Sequence, residues 1–221
     1  MAAILPAPPA CQHAGMRIGV IGTGMIGGTL SRLLAAAGHD VTVANSRGPA
    51  AVADLVAEIG DRATAGSAAD AAAAGEVVVV AIPFGRYRDL PAAELAGKVV
   101  VDANNYYPAR DGTIAELEDG SVTSSELVAA ALPGARVVKA FNTIYYVHLR
   151  DDGLPPGSAE RRAIPIAGDD PEAKRVVAGL LDDIGFDAFD AGSLTDSRRL
   201  EPGSPVYNAR LTRDEIAAAL A

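Results

Sequence analysis
The sequence predicts an α/β fold: a doubly wound, mostly parallel sheet with a small C-terminal α/β extension. Three observations carry this reading. The segment Arg17-Ile-Gly-Val-Ile-Gly22-Thr-Gly24-Met-Ile-Gly27 is a β-branched run entering Gly-x-Gly-x-x-Gly. Glu76 to Ile82, Lys98 to Asp102 and Arg136 to Phe141 are near-continuous apolar runs, the pattern of central parallel strands covered on both faces. Stretches of helical spacing separate the strands, and such alternation builds a doubly wound sheet. A glycine turn between the first strand and a helix is the dinucleotide-binding arrangement of the Rossmann fold. It lets backbone approach a pyrophosphate, and the helix N-terminus favours negative charge.

The elements follow in order. Ile18, Val20 and Ile21 make the first strand. Leu30, Leu33, Leu34 and Ala37 share one face of the first helix, which Gly38 stops, with His39 just beyond. Asp40 to Ser46 is the second strand. A helix from Pro49 carries Val52, Leu55, Val56 and Ile59 and ends at Gly60. A short strand at Arg62 to Ala65 precedes an alanine-rich turn that Ser67 caps. Ser124 to Leu132 is a crossover helix. Residues Tyr145 to Arg162, with charges and Pro155-Pro156, read as a long loop or lid. Ala163 to Ala167 is a strand. Pro171 opens a helix through Val176, Val177, Leu180 and Leu181, which Gly185 stops. Phe186 to Ala191 is a last short strand, and Thr212 to Leu220 a closing helix with Glu215 completing a capping box. The expected organisation is a disordered extension over 1–15, a dinucleotide-binding domain over 16–144 and a C-terminal part over 145–221 that completes a second pocket. The alternative for the extension is a regulatory arm carrying Cys11 and His13.

Composition narrows the function. The chain has 221 residues, 49% of them hydrophobic, no Trp and a formal net charge of −9. That charge disfavours nucleic acid and anionic membrane surfaces as partners. No apolar run is long enough to span a bilayer, residues 1–15 lack the features of a signal peptide, and the expected compartment is the cytoplasm. A single cysteine excludes a disulfide framework and a cysteine-rich metal site.

The cofactor is read from the end of the second strand. NAD-binding chains place an acid there for the ribose hydroxyls. This chain has Asn45-Ser46-Arg47-Gly48-Pro49. Ser46 offers a hydroxyl and Arg47 a planar cation for a 2′-phosphate, so NADPH is expected over NADH.

Gly22-Thr-Gly-Met-Ile-Gly27, Asn45-Ser-Arg-Gly-Pro49, Ala81-Ile-Pro83, Asp102-Ala-Asn-Asn105 and Lys139-Ala-Phe-Asn-Thr-Ile144 together resemble the NADPH-dependent coenzyme F420 reductase family, also called F420-dependent NADP oxidoreductase. The resemblance runs from Met16 to the C-terminus. It implies hydride exchange between NADPH and a deazaflavin, often in a homodimer, with no metal. It implies that Gly22, Thr23, Gly24, Met25, Ile26 and Gly27 meet the pyrophosphate and that Ser46 and Arg47 hold the 2′-phosphate. Ile82, Pro83 and Phe84 would lie against the adenosine. Asn104, Asn142 and Thr143 would line the nicotinamide end.

Hydride transfer between two stacked rings needs orientation and exclusion of water, not a metal or covalent nucleophile. The histidines His13, His39 and His148 have no metal-ligand spacing. The deazaflavin's anionic tail calls for cations, and Lys139, Arg161, Arg162, Arg198 and Arg199 are the candidates, with solvated surface charge as the alternative for the two arginine pairs. If the acceptor is instead an imine, enone or carbonyl, Tyr145, Tyr146 or His148 is the proton donor; His148 reads otherwise as a solvated loop residue. An NADPH-binding sensor without turnover is the non-enzymatic alternative. A sugar or acid dehydrogenase of another Rossmann family would need an acid–base set that the sequence does not supply at a defined place.

Overall fold
The structure is a computed structural model and describes residues 15–221. Cys11, His13 and the expected extension up to residue 14 lie outside the described residues. Eight strands form the sheet in the order β3-β2-β1-β4-β5-β6-β7-β8. They are β1 Arg17–Ile21, β2 Asp40–Ala44, β3 Ala63–Ala65, β4 Val77–Val80, β5 Val99–Asp102, β6 Arg136–Lys139, β7 Ala163–Gly168 and β8 Asp187–Asp190. All neighbours are parallel except β6 and β7, which run antiparallel with Val138 opposite Gly168 and Lys139 opposite Ala167. The fold is the Rossmann-like α/β arrangement, with helices on both faces.

The valine runs explain why the centre of the sheet is stable. In β4 all four valines are buried. Val77 and Val79 pack on one face with Ile18, Val20, Leu30, Leu34 and Val177. Val78 and Val80 pack on the other with Ala71, Phe84, Leu95, Val128 and Leu132. Alternate residues of a strand point to opposite faces, so an uninterrupted apolar strand fits only a sheet covered on both sides. Capping follows the sequence. Ser67 and Asp70 form a capping box at the Ala68–Ala74 helix, and Glu215 accepts from the Thr212 N–H at 2.8 Å at the Arg213–Ala219 helix.

Several expectations are corrected. β2 ends at Ala44 because Asn45 turns the chain, its Oδ1 accepting from the Arg47 N–H at 2.9 Å. Pro49–Val52 is a 3-10 turn before the Ala53–Ile59 helix, and of the expected apolar face only Val52 is buried. The segment after Ile144 is not loop throughout. Tyr146–Asp151 is a helix with Leu149 buried, and it packs on the Met25–Ala36 helix. His39, read as a structural residue at the end of the first helix, is not among the corrections: it is buried, with Nε2 3.2 Å from Asp183 Oδ2.

Three of the cations expected to meet an anionic tail are internal. Arg161 donates to Asp182 Oδ1 at 2.6 Å and Asp187 Oδ1 at 2.8 Å. Arg162 is 1% exposed and binds Asp152 Oδ2 at 3.0 Å and the Ala209 carbonyl at 2.8 Å. Burial pushes its guanidinium down from the ordinary arginine range. Lys139 is fully buried. Arg161 and Arg162 thus tie the C-terminal elements to one another, and Lys139 joins β5 and β6 to the Ser124–Ala131 helix.

Candidate nucleotide site
The turn between β1 and the Met25–Ala36 helix gives its three motif glycines three separate tasks. Gly22 has φ of +102° and its N–H donates to the Ala44 carbonyl at 2.8 Å, which closes the turn beside β2. A Cβ on Gly27 would stand 1.8 Å from the Gly22 carbonyl oxygen, so only glycine lets the helix sit this close to the strand. Gly24 differs: a Cβ there would meet nothing within 4 Å. It faces open space at the N-cap, where no side chain caps the helix and its first turn carries no acid. Thr23, Met25 and Ile26 flank it, and Met25 is 65% exposed. The unfilled N-terminal amides thus look onto a space that an anion fits.

Next to this turn lies a cavity of about 490 Å³ bounded by Gly22, Thr23 and Gly24, by Asn45, Ser46 and Arg47, and by Ile82 and Pro83. Asn45 Nδ2 donates to Thr23 Oγ1 at 3.2 Å and ties the end of β2 to the glycine turn. Ser46 and Arg47 are exposed. Among the described residues no ion pair or side-chain hydrogen bond engages the Arg47 guanidinium. Phe84 does not line this cavity. It is fully buried, stacked on Tyr87 at 4.9 Å and edge-on to Tyr106 at 5.7 Å, because the 3-10 segment Phe84–Asp89 turns it inward. The same segment brings Arg86 and Asp89 to the cavity wall. Sequence reasoning missed both; the signal was the i, i+3 spacing just beyond Pro83.

At the carboxyl ends of β5 and β6, Asn104 and Asn142 are buried and oriented by backbone. Asn104 Oδ1 accepts from the Ile82 N–H at 2.8 Å. Asn142 Nδ2 donates to the Leu200 carbonyl at 2.7 Å and to Asn105 Oδ1 at 3.2 Å. These partners fix which atom of each amide donates. Asn104 Nδ2 and Asn142 Oδ1 have no partner among the described residues. Thr143 is buried and accepts through its carbonyl from the Asn208 N–H at 2.9 Å. Phe141, just before, has φ of +64°, a strained value for an aromatic residue. Beneath lies an ionic cluster: Lys139 Nζ is 3.5 Å from Asp102 Oδ2, donates to Ser124 and Ser125 Oγ at 3.0 Å, and reaches the Asn104 carbonyl at 3.2 Å.

A second groove of about 820 Å³ flanks the other side of Thr23 and Gly24, between the first helix, the Ala53–Ile59 helix and Tyr146. Tyr145 is 49% exposed, its ring 4.7 Å from Tyr146 and 6.0 Å from His148. His148 is exposed, with Nδ1 3.5 Å from Asp152 Oδ2. Arg198 and Arg199 are exposed on the Thr195–Leu200 turn, where Arg199 donates to the Leu220 carbonyl. Among the described residues no group of three or more His, Cys, Asp or Glu side chains is arranged to hold a metal ion. No helix among them is long and apolar enough to cross a membrane.

The chain is similar to several known proteins. Residues 17–106 match the family described as NADP oxidoreductase, coenzyme F420-dependent. A hypothetical protein of Sinorhizobium meliloti, SMa0349, is 32% identical with a TM-score of 0.77, over 91% of this chain and 97% of its own. A protein of Arthrobacter sp. FB24, assigned provisionally as an F420-dependent NADP-reductase, is 30% identical with a TM-score of 0.69, over 84% of this chain and 89% of its own. The rat protein Metalloreductase STEAP3 is 32% identical over 187 residues, which are 84% of this chain. The chain spans just over a third of the length of the curated relatives it matches, 36% and 39%. The glycine turn and the β2 edge lie inside the matched region, and the likeness to the Arthrobacter protein runs through nearly all of both chains: the chain belongs to the coenzyme F420-dependent NADP oxidoreductase family.

Proposed function
We propose that this protein transfers hydride between NADPH and the deazaflavin coenzyme F420. The observation that carries the NADPH half is the Arg47 guanidinium, unpaired among the described residues, beside a glycine turn whose helix has no side-chain cap, with no carboxylate at the end of β2. The family membership and the Arthrobacter relative's name support the deazaflavin half. The residues fit the nucleotide. Gly24 leaves the space over the helix N-terminus open, with nothing within 4 Å of a Cβ there, and two buried amide atoms at the ends of β5 and β6 have no partner among the described residues.

In this reading the Gly22–Gly27 turn holds the pyrophosphate, Ser46 and Arg47 the 2′-phosphate, and Ile82 and Pro83 the adenosine. Asn104, Asn142 and Thr143 orient the nicotinamide end. NADPH supplies the hydride and the oxidised deazaflavin takes it. The protein's own contribution is alignment and a dry surface beside the two rings, so no side chain is assigned a covalent role. We propose further that the enzyme acts as a cytoplasmic homodimer on a small-molecule redox co-substrate, with neither nucleic acid nor membrane as partner.

A second reading rests on the exposed Tyr145 beside His148, which together offer a proton donor for an imine, enone or carbonyl. One experiment separates the readings. NADPH deuterated at its reactive carbon is incubated with the protein and oxidised F420, and with imine and carbonyl acceptors in parallel. Label recovered in the reduced deazaflavin supports the first reading. Reduction of an imine or carbonyl without deazaflavin reduction replaces it with the second. NADPH binding without turnover on any acceptor makes the chain a sensor. Sedimentation of the intact chain tests the dimer.

A further inference from the structure
The 490 Å³ cavity has two walls, and only one has a role so far. The second is the 3-10 segment Phe84–Asp89. The Arg86 N–H donates to the Pro83 carbonyl at 3.0 Å, which tightens the turn, and three residues per turn put Arg86 and Asp89 on one side. Phe84 and Tyr87 on the other side are buried and anchor the segment. Arg86 and Asp89 pair with each other, yet their side chains remain 63% and 58% exposed at the cavity. An exposed ion pair of this kind adds little to stability, so its position calls for another account.

We propose that Arg86 is a second reader of the NADPH 2′-phosphate and that Asp89 holds it in reserve. This rests on the assignment of this cavity to the adenosine 2′-phosphate. A phosphate monoester carries between one and two negative charges near neutral pH. Arg47 supplies one positive charge, in a chain whose net charge is −9. The remaining negative charge needs a second cation, and a guanidinium on the facing wall supplies it with a planar, bidentate fork. When NADPH binds, Arg86 exchanges the Asp89 carboxylate for the phosphate. When NADH binds, no phosphate competes and the Arg86–Asp89 pair stays closed. Asp89 therefore sets the threshold of cofactor choice, because it competes for Arg86 and repels the phosphate.

The test is calorimetric titration of the whole chain with NADP+ and NAD+, in the parent and in Arg47→Ala, Arg86→Ala and Asp89→Asn. The exposed side chains leave folding intact, which melting curves check. Arg86→Ala is expected to weaken NADP+ about tenfold and NAD+ less than about twofold. Asp89→Asn is expected to tighten NADP+ about threefold and leave NAD+ unchanged. Equal losses for both cofactors in Arg86→Ala, or no loss, overturn the proposal while a selective Arg47→Ala keeps the cavity assignment. Weaker NADP+ binding in Asp89→Asn overturns the reserve role. If Arg47→Ala is itself unselective, the cavity assignment falls and this inference falls with it.

Discussion
Gly24→Val separates binding from folding within one motif. The Gly24 backbone has φ of −72° and ψ of −161°, values an L-residue adopts, and a Cβ there touches nothing within 4 Å. The folded state therefore loses only the difference between Gly and Val at an N-cap, about 1 kcal/mol. The isopropyl group instead occupies the space over the helix amides. Displacing a pyrophosphate from two charge-assisted N–H bonds, each worth about 1.5–3 kcal/mol, removes roughly 3–6 kcal/mol of binding. That is at least a hundredfold in affinity for NADPH and NADH alike. Gly27→Ala is the counterpart. Its Cβ would lie 1.8 Å from the Gly22 carbonyl, a contact relieved only by moving the helix. This variant is expected to lose several kcal/mol of stability, as overpacking and strain do. Calorimetric titration and thermal melting of both variants give the answer. Unchanged affinity in Gly24→Val, or a melting loss matching that of Gly27→Ala, would refute the division of tasks.

Lys139→Met leaves Asp102 buried without its cation and is expected to destabilise the fold by about 3–5 kcal/mol, whereas Lys139→Met with Asp102→Leu recovers most of that loss; denaturant unfolding of both variants checks it. The Tyr207 hydroxyl lies 2.5 Å from that of Tyr107, and burial first, then this bond, pushes its pKa up to about 12. A raised folded pKa means the folded state holds the proton more tightly, so the stabilisation is complete below about pH 10 and is lost as pH rises toward about 12. Tyr207→Phe should remove that alkaline component from the pH–stability curve, and a curve that keeps it assigns the drop to another group. Asp170 Oδ1 accepts from the Glu172 and Ala173 N–H groups at 2.8 and 3.0 Å; Asp170→Ala is expected to cost about 1 kcal/mol, measured by melting at neutral pH.

What the sequence disclosed divides by the range of the cause. β1, the glycine turn and the all-valine strands are legible because each is specified within a few residues. The pairs that bury Arg161 and Arg162 are not. Their acids Asp182, Asp187 and Asp152 stand 10 to 26 positions away, on the Pro171–Asp183 helix, at the start of β8 and at the end of the Tyr146–Asp151 helix, and only tertiary packing and the β7–β8 pairing bring them near. Lys139 and Asp102 were more accessible to reasoning. Both end apolar strands, and parallel register sets them side by side. A charged residue closing each of two adjacent buried strands is a readable sign of an internal ion pair. The Tyr146–Asp151 helix has six residues, too few for propensity or periodicity to declare it, and its stability comes from docking on its neighbour. Phe84 left its expected place at the cavity, and Arg86 went unread, because a 3-10 turn, not an extended exit from β4, decides which side chain faces the cavity.

The antiparallel register of β6 and β7 has one more consequence. Lys139, the last residue of β6, lies opposite Ala167, so the first four residues of β7 continue past the carboxyl edge of the parallel strands. At about 3.3 Å per residue this overhang is roughly 13 Å tall, and β8 runs beside it from Asp187. The ribbon is a parapet along the margin where β6 ends, attached to the parallel strands by only two residue pairs. Its height depends on register alone. Preserving which side chains face inward requires steps of two residues, each roughly 7 Å. A lineage can therefore raise, lower or refit this parapet in discrete increments without touching the glycine turn, so that the enclosure beside the strand ends and the nucleotide cradle diversify on separate schedules.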